Sequence, residues 1–337
     1  MSTSPAVVRT GEGSLGLPVA LERAAHVVQP ALDRALERLS PEVRVPVAHH
    51  LATGGKRVRA ALVLVTAAAA GAPESVGVPG AVAIELVHNF SLLHDDIIDG
   101  DTHRRHRSTV WAEFGVGRAI IAGDALAALA TQVLLDESTP ARVRAAALLA
   151  SATQEMIAGQ ADDMAFETRR TVTLEEALAM ASAKTGALLS CAAALGAVLA
   201  DAPVPVIEAL ADFGRHLGVA FQAIDDVLGI WGDPARTGKP IGTDLIQHKK
   251  TLPVAIALSH AEGMGGRLEA LLQAELNESD GREAARLIEE CEARTDVLDL
   301  AATEFDAALG ALERVELVAA PKAELLQIAH FVTERDR

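Results

Sequence analysis

Asp95, Asp96 and Asp99 close an apolar run that begins at Glu85, in the order Glu-Leu-Val-His-Asn-Phe-Ser-Leu-Leu-His-Asp-Asp-Ile-Ile-Asp. On a helix, Asp95 and Asp99 lie one turn apart on one face, and Asp96 sits about 100 degrees round from them. Carboxylates crowded in this way repel one another and call for a cation. Hard oxygen donors without clustered Cys or His suit Mg²⁺, which takes one or two carboxylates together with substrate phosphates. A solvated acidic helix end would give the same spelling. What changes the weighing is a second acidic pair, Asp225-Asp226, at another predicted helix end 130 residues further on.

The basic residues point to a phosphorylated substrate. The formal net charge is −16, which argues against a nucleic-acid partner held by non-specific electrostatics. An acidic chain that handles a polyanion must gather its few cations locally. Three clusters do so: Lys56-Arg57-Val58-Arg59, Arg104 to Arg107, and Lys249-Lys250. The first follows Gly54-Gly55, where the backbone can approach a ligand and the next helix start offers free N–H groups. Each cluster alone reads equally well as a solvated basic face. Gly11, Gly13 and Gly16 spell a dinucleotide-binding spacing, but no strand precedes it and no βαβ pattern follows.

Helices must position these groups. Half of the 337 residues are apolar, only 3% are aromatic and Tyr is absent, a composition rich in helix formers and poor in strand formers. The fold expected is all-α. Helical periods run from Val19, after Ser40-Pro41, from Ala60, over 81–99, from about Ala119 to Asp136, from Thr139-Pro140 to about Met164, and over Val206 to Ile230. Thr173 and Glu176 form a capping-box pair before the helix that carries Lys184-Thr185. Breaks are expected at Gly71 to Gly80, Gly232 to Gly242, near Gly263 to Gly266, and at Asn277 to Gly281.

No repeat or long linker divides the chain, so residues 19–337 read as one domain after a mobile tail at 1–18. The start of the sequence lacks a secretory h-region, and the longest apolar stretch, Ala60 to Ala70, is too short to span a bilayer. Cys191 and Cys291 lack disulfide or metal spacing. A cytosolic protein without a membrane span is expected.

These motifs, taken in order, resemble the trans-isoprenyl diphosphate synthases of the polyprenyl synthetase family. The resemblance rests on Gly54 to Arg59, Glu85 to His88, Asp95-Asp96-Ile-Ile-Asp99, Arg104-Arg105, Gly159-Gln160 with Asp163, Lys184-Thr185, Phe221-Gln222 with Asp225-Asp226, Gly238-Lys239, and Lys249 with Thr251-Leu252-Pro253. It covers residues 54–253 and is strongest toward the geranylgeranyl diphosphate synthases. It implies a single-domain bundle of long helices around a central cavity, usually a homodimer. It also implies that Asp95, Asp99 and Asp225 hold Mg²⁺, supported by Asp96 and Asp226. Arg104, Lys184, Gln222, Lys239 and Lys249 would bind the allylic diphosphate, and Lys56, Arg59, His88 and Arg105 the isopentenyl diphosphate. Asp95, Asp96, Asp99, Lys184, Asp225 and Lys239 would be the catalytic set.

Such a reaction needs preplaced cations, because the departing diphosphate gains negative charge as the allylic carbon–oxygen bond breaks. It needs no nucleophilic Ser or Cys. Three positions depart from the family pattern: Gly229 stands where a third aspartate is common in the second motif, for which activity is expected to survive with weaker metal binding, and Ala60 and His248 replace a common proline and glycine without removing a ligand. Phe90, Ser91 and Val87 lie below the first aspartate, and by the resemblance a lone aromatic five residues before it, without extra residues inside the motif, implies a C20 product, with C15 and C25 also open. A class I terpene cyclase or a non-catalytic subunit of a heteromeric synthase would share much of the pattern. The isopentenyl-site residues count against the first and the intact first acidic motif against the second.

Overall fold

A computed structural model describes residues 17–232, 242–259, 265–274 and 276–334. The helices are α1 (Val19–Leu36), α2 (Pro41–Leu51), α3 (Val58–Ala69), α4 (Val78–Ile98), α5 (Val110–Phe114), α6 (Val116–Leu135), α7 (Pro140–Glu167), α8 (Leu174–Ala181), α9 (Ala187–Leu199), α10 (Val204–Trp231), α11 (Thr243–Ile246), α12 (Leu252–Ser259), α13 (Gly265–Leu272), α14 (Glu278–Glu290), α15 (Ala293–Glu313) and α16 (Ala319–Thr333). The all-α expectation is met. The tail expected at 1–18 lies almost wholly outside the described residues, as do Gly238 and Lys239.

Local chemistry accounts for several helix starts. Thr139 caps α7 by accepting from the Arg142 N–H at 3.3 Å, with Pro140 in the first turn. Thr173 and Glu176 form the expected capping box at α8. Ser40 precedes α2 in an extended conformation, but its side chain makes no capping hydrogen bond; Pro41 alone opens that helix. The break expected over Asn277 to Gly281 shrinks to one residue, because Asn277 caps α14 and Gly281 continues the helix. Between α8 and α9 the chain widens into a π turn at Ser182–Gly186 instead of running as one regular helix.

Helix α9 is buried at every position, as expected for a helix apolar all round. It packs on α3, α7 and α10, while α4 lies along α6 and α10 along α15. Two apolar clusters result. One joins α1, α3, α4, α6, α7, α9, α16, the first half of α10 and the end of α15, and the other joins the end of α10 to α8 and α11–α15. Since α10 and α15 run through both, the clusters are mechanically continuous.

Residues 74–98, 116–135 and 174–199 form helices long and apolar enough to cross a membrane by length and composition. The fold supplies other partners for them: 67% of the first and 83% of the third is buried within the protein, against 44% of the second.

Candidate active site

The first acidic motif ends α4. Asp96 points inward at 1% exposure and accepts from Arg104 Nε at 2.7 Å. Arg104 reaches back because residues 103–108 form a two-stranded hairpin, His103–Arg104 against Arg107–Ser108, which the sequence reading did not foresee. Its two turn residues, Arg105 and His106, have φ of 49° and 63°, the left-handed pair of a tight type I′ connection. The same turn lets Arg105 donate to the Gly54 carbonyl. The hairpin therefore joins the acidic motif to the glycine pair.

A basic cavity of about 720 Å³ opens at that junction, lined by Lys56, Arg57, Arg59, His88, Arg104 and Arg105 among others. Gly54 has φ 71° and Arg57, the residue before α3, φ 55°, so the chain makes two left-handed steps here. Glu85 anchors the segment from below. It accepts from Arg57 Nη1 at 2.7 Å and from the Ala60 N–H at 3.3 Å and is itself 4% exposed. Arg59 Nη1 lies 3.3 Å from His88 Nε2. Burial first, and then the Arg59 charge, push the His88 imidazole well below its usual pKa, so it is neutral. Lys56 sits 4.8 Å over the Phe331 ring of α16. All four residues expected at the isopentenyl diphosphate site thus converge. Glu85 is a supporting residue whose role sequence reasoning missed, because an acid in a basic site looked like part of an ordinary helix.

A second cavity of about 480 Å³ shares Arg59, His88, Arg104 and Arg105 with the first and runs inward between α4, α7, α9 and α10. Asp95, Asp225, Lys184, Gln160 and Gln222 line its polar mouth, and Phe90, Met156, Leu188 and Phe221 its apolar depth. Ser91 is on the wall. Val87 is not among the lining residues; it is 2% exposed in the core behind Phe90, so one of the three expected length-setting residues does not face the cavity. Burial raises the Asp95 carboxyl to about 6, against the opposing charge of Lys184.

Between the two acidic motifs lies a smaller cavity of about 180 Å³ that includes Asp99, Asp163, Lys184, Asp226, Asp244 and Lys249. Lys249 Nζ is 3.0 Å from Asp99, 2.7 Å from Glu167 and 3.4 Å from Asp163, and Lys184 Nζ is 2.5 Å from Asp163. Burial disfavours the Lys249 charge, but Asp163, Glu167 and Asp99 outweigh it and raise its pKa. Glu167 escaped the sequence reading because α7 was expected to end near Met164. Lys184 owes its place to Gly159, whose Cβ, if present, would come within 2.8 Å of Lys184 Cα.

Asp226 is 5% exposed and is held by the Leu252 N–H at 2.9 Å and Gln222 Nε2 at 2.7 Å; Gln222 in turn accepts from the Thr185 hydroxyl at 2.5 Å. Burial pushes the Asp226 carboxyl up to about 7. The departure at Gly229 has a steric counterpart: a Cβ there would lie 2.6 Å from Asp244 Cγ, so an aspartate would need the space that Asp244 occupies. His248, at another departure, has φ 58°, a conformation that favours glycine.

Sequence and structure comparisons agree with this architecture. The polyprenyl synthetase family model matches residues 40–290. The chain belongs to the polyprenyl synthetase family. It is 44% identical over 335 residues to a (2E,6E)-farnesyl diphosphate synthase of Mycobacterium tuberculosis, covering 95% of this chain and 93% of the relative. A geranylgeranyl diphosphate synthase of the same species is 43% identical over 284 residues, covering 80% and 81%. The crystal structure of a polyprenyl synthetase from Streptomyces coelicolor superposes with a TM-score of 0.89 at 43% identity, covering 94% of this chain and 99% of that one. As a family member the protein is a trans-prenyltransferase of the chain-elongating kind.

Proposed function

We propose that the protein condenses isopentenyl diphosphate with an allylic diphosphate, with Mg²⁺, to give chiefly the C20 product geranylgeranyl diphosphate, C15 and C25 being the neighbouring lengths. One observation carries this reading: a basic cavity and an apolar, acid-rimmed cavity meet at shared Arg59, His88, Arg104 and Arg105. Two diphosphates can therefore be bound with their reacting carbons adjacent. A cyclase, which ionises one diphosphate, has no use for the basic cavity.

The donor set fits Mg²⁺. Asp95, Asp99 and Asp225 are hard-oxygen donors around the cavity mouths. Mg²⁺ keeps several waters and is held by one or two carboxylates together with substrate phosphates, so the chain need not supply the whole shell. When bound, the ion adds positive charge beside the leaving group. Arg104, Lys184 and Lys249 add fixed charge, and Lys239 is proposed with them on the family pattern alone. As the allylic carbon–oxygen bond breaks, its electron pair goes to the diphosphate. The double bond of isopentenyl diphosphate then attacks the cation, and a proton leaves to the departing diphosphate. His88 and the guanidinium of Arg59 hold the second diphosphate.

Phe90, 8% exposed at the apolar depth, stops the growing chain. Exposed apolar residues on α6, Val116, Ile120 and Ile121, are covered by a second copy in a homodimer, and the cytosol is the proposed setting. Incubation with isopentenyl diphosphate, each allylic primer and Mg²⁺, followed by mass analysis, tests the reading. Elongation to C20 is expected; no incorporation with any primer would refute it.

A further inference from the structure

His94 stands between the acidic motif and the apolar depth, yet it has no part in the proposed chemistry. It lies one turn from Phe90 on α4, and both side chains line the apolar cavity. Their rings meet edge to face, with centroids 4.9 Å apart and planes at 77°, a favourable aromatic geometry.

The other side of His94 is equally constrained. Behind it runs α6, and Gly123 leaves a notch there: a Cβ at that position would lie 2.6 Å from His94 Cδ2. His94 Nε2 is 3.3 Å from the Ile120 carbonyl oxygen and 3.8 Å from Asp124 Oδ1. A ring carrying its proton on Nε2 donates to that carbonyl and cannot swing away without losing the bond. His94 is thus a wedge seated on α6 with its edge against Phe90.

We propose that His94 is a positioning residue for product length: lodged in the Gly123 notch, it braces the Phe90 ring across the cavity so that the growing chain cannot push it aside. The inference rests on the reading that the allylic tail grows along α4 toward Phe90. Each added isoprene unit gains apolar burial by entering the cavity. That gain presses on whatever blocks the way, and a phenylalanine alone can yield by changing rotamer. A second ring seated on a neighbouring helix removes that freedom.

The test compares wild type, Phe90→Ala, His94→Ala, His94→Gln, His94→Phe and the Phe90→Ala/His94→Ala pair, with isopentenyl diphosphate, allylic primers and Mg²⁺. Products are sized by mass, single-condensation rates are measured, and melting temperatures are recorded. His94→Ala and His94→Gln should lengthen the main product by at least one five-carbon unit, with the first condensation kept within about threefold of wild type. His94→Phe, which keeps a ring against Phe90, should retain the wild-type length. Because His94 acts through Phe90, the double variant should give the same products as Phe90→Ala alone.

Wild-type product length in both His94→Ala and His94→Gln overturns the brace, as does a double variant that lengthens by the sum of the single changes. The glutamine keeps a donor for the Ile120 carbonyl, so it remains informative if the alanine variant folds poorly. A wild-type protein that incorporates no isopentenyl diphosphate would instead sink the elongation reading, and that outcome is distinct from elongation without an effect at His94.

Discussion

At the scale of single residues, the site sets charges against burial, and that makes its groups unequal. Asp95→Ala and Asp99→Ala should each lower turnover by about two orders of magnitude or more, since preplaced charge facing a leaving group usually contributes more to the rate than any other single effect. Circular dichroism should stay unchanged. Normal turnover in both would refute the metal assignment. A different residue governs pH stability: His50, 3% exposed, is lowered to about 4 by burial first and then by Arg104. Its folded pKa lies below its unfolded value of about 6.5, so its contribution is complete above pH 6.5 and is lost as pH falls through 4. The full effect is about 3 kcal/mol at most. Urea midpoints measured from pH 7.5 to 4.5 should therefore fall less steeply in His50→Asn than in wild type, and equal slopes would remove His50 from the account.

Elements position the chemistry through close approaches. Helix α7 can lie against the π turn only because Gly159 has no side chain, and α9 lies against α3 because Gly196 has none: a Cβ there would come 2.6 Å from the Ala67 nitrogen. These two contacts have different consequences. Gly196→Ala should cost about 1–3 kcal/mol of stability through overpacking while leaving KM for both substrates unchanged. Gly159→Ala should also lower the turnover rate, because it displaces Lys184. Thermal melts and steady-state kinetics on both variants separate the cases; a Gly159→Ala enzyme with normal turnover would show that Lys184 tolerates the shift. Neither contact was legible in the sequence. Gly159 belongs to a recognisable motif, but motif membership says nothing of which backbone comes near.

For the whole molecule, α6 is the apolar helix with most surface left uncovered. Ile121 and Val116 are 56% and 45% exposed, while the helix as a whole is apolar enough to span a membrane. The homodimer proposed above would cover this face with a second copy. Ile121→Glu should shift the protein from dimer to monomer in light scattering after size exclusion. A wild-type monomer at micromolar concentration would refute the dimer.

Much of this protein was determined along the chain alone. Helix starts with strong local chemistry, such as Thr139-Pro140 and the Thr173–Glu176 box, follow from short-range hydrogen bonding and need no tertiary partner. The order of acidic and basic motifs likewise picked out residues that the fold gathers around three adjoining cavities. Tertiary structure decided the rest. Arg104 reaches Asp96 through a hairpin turn of two non-glycine left-handed residues, a conformation that local preference disfavours and only the folded neighbourhood sustains. Val87 and Phe90 both looked able to face the cavity, but helix rotation against α9 and α6 left only Phe90 there. Gly229 read as a missing ligand until the fold set Asp244 against it. Pair distances between remote segments depend on packing of the whole core, which no single stretch of sequence encodes.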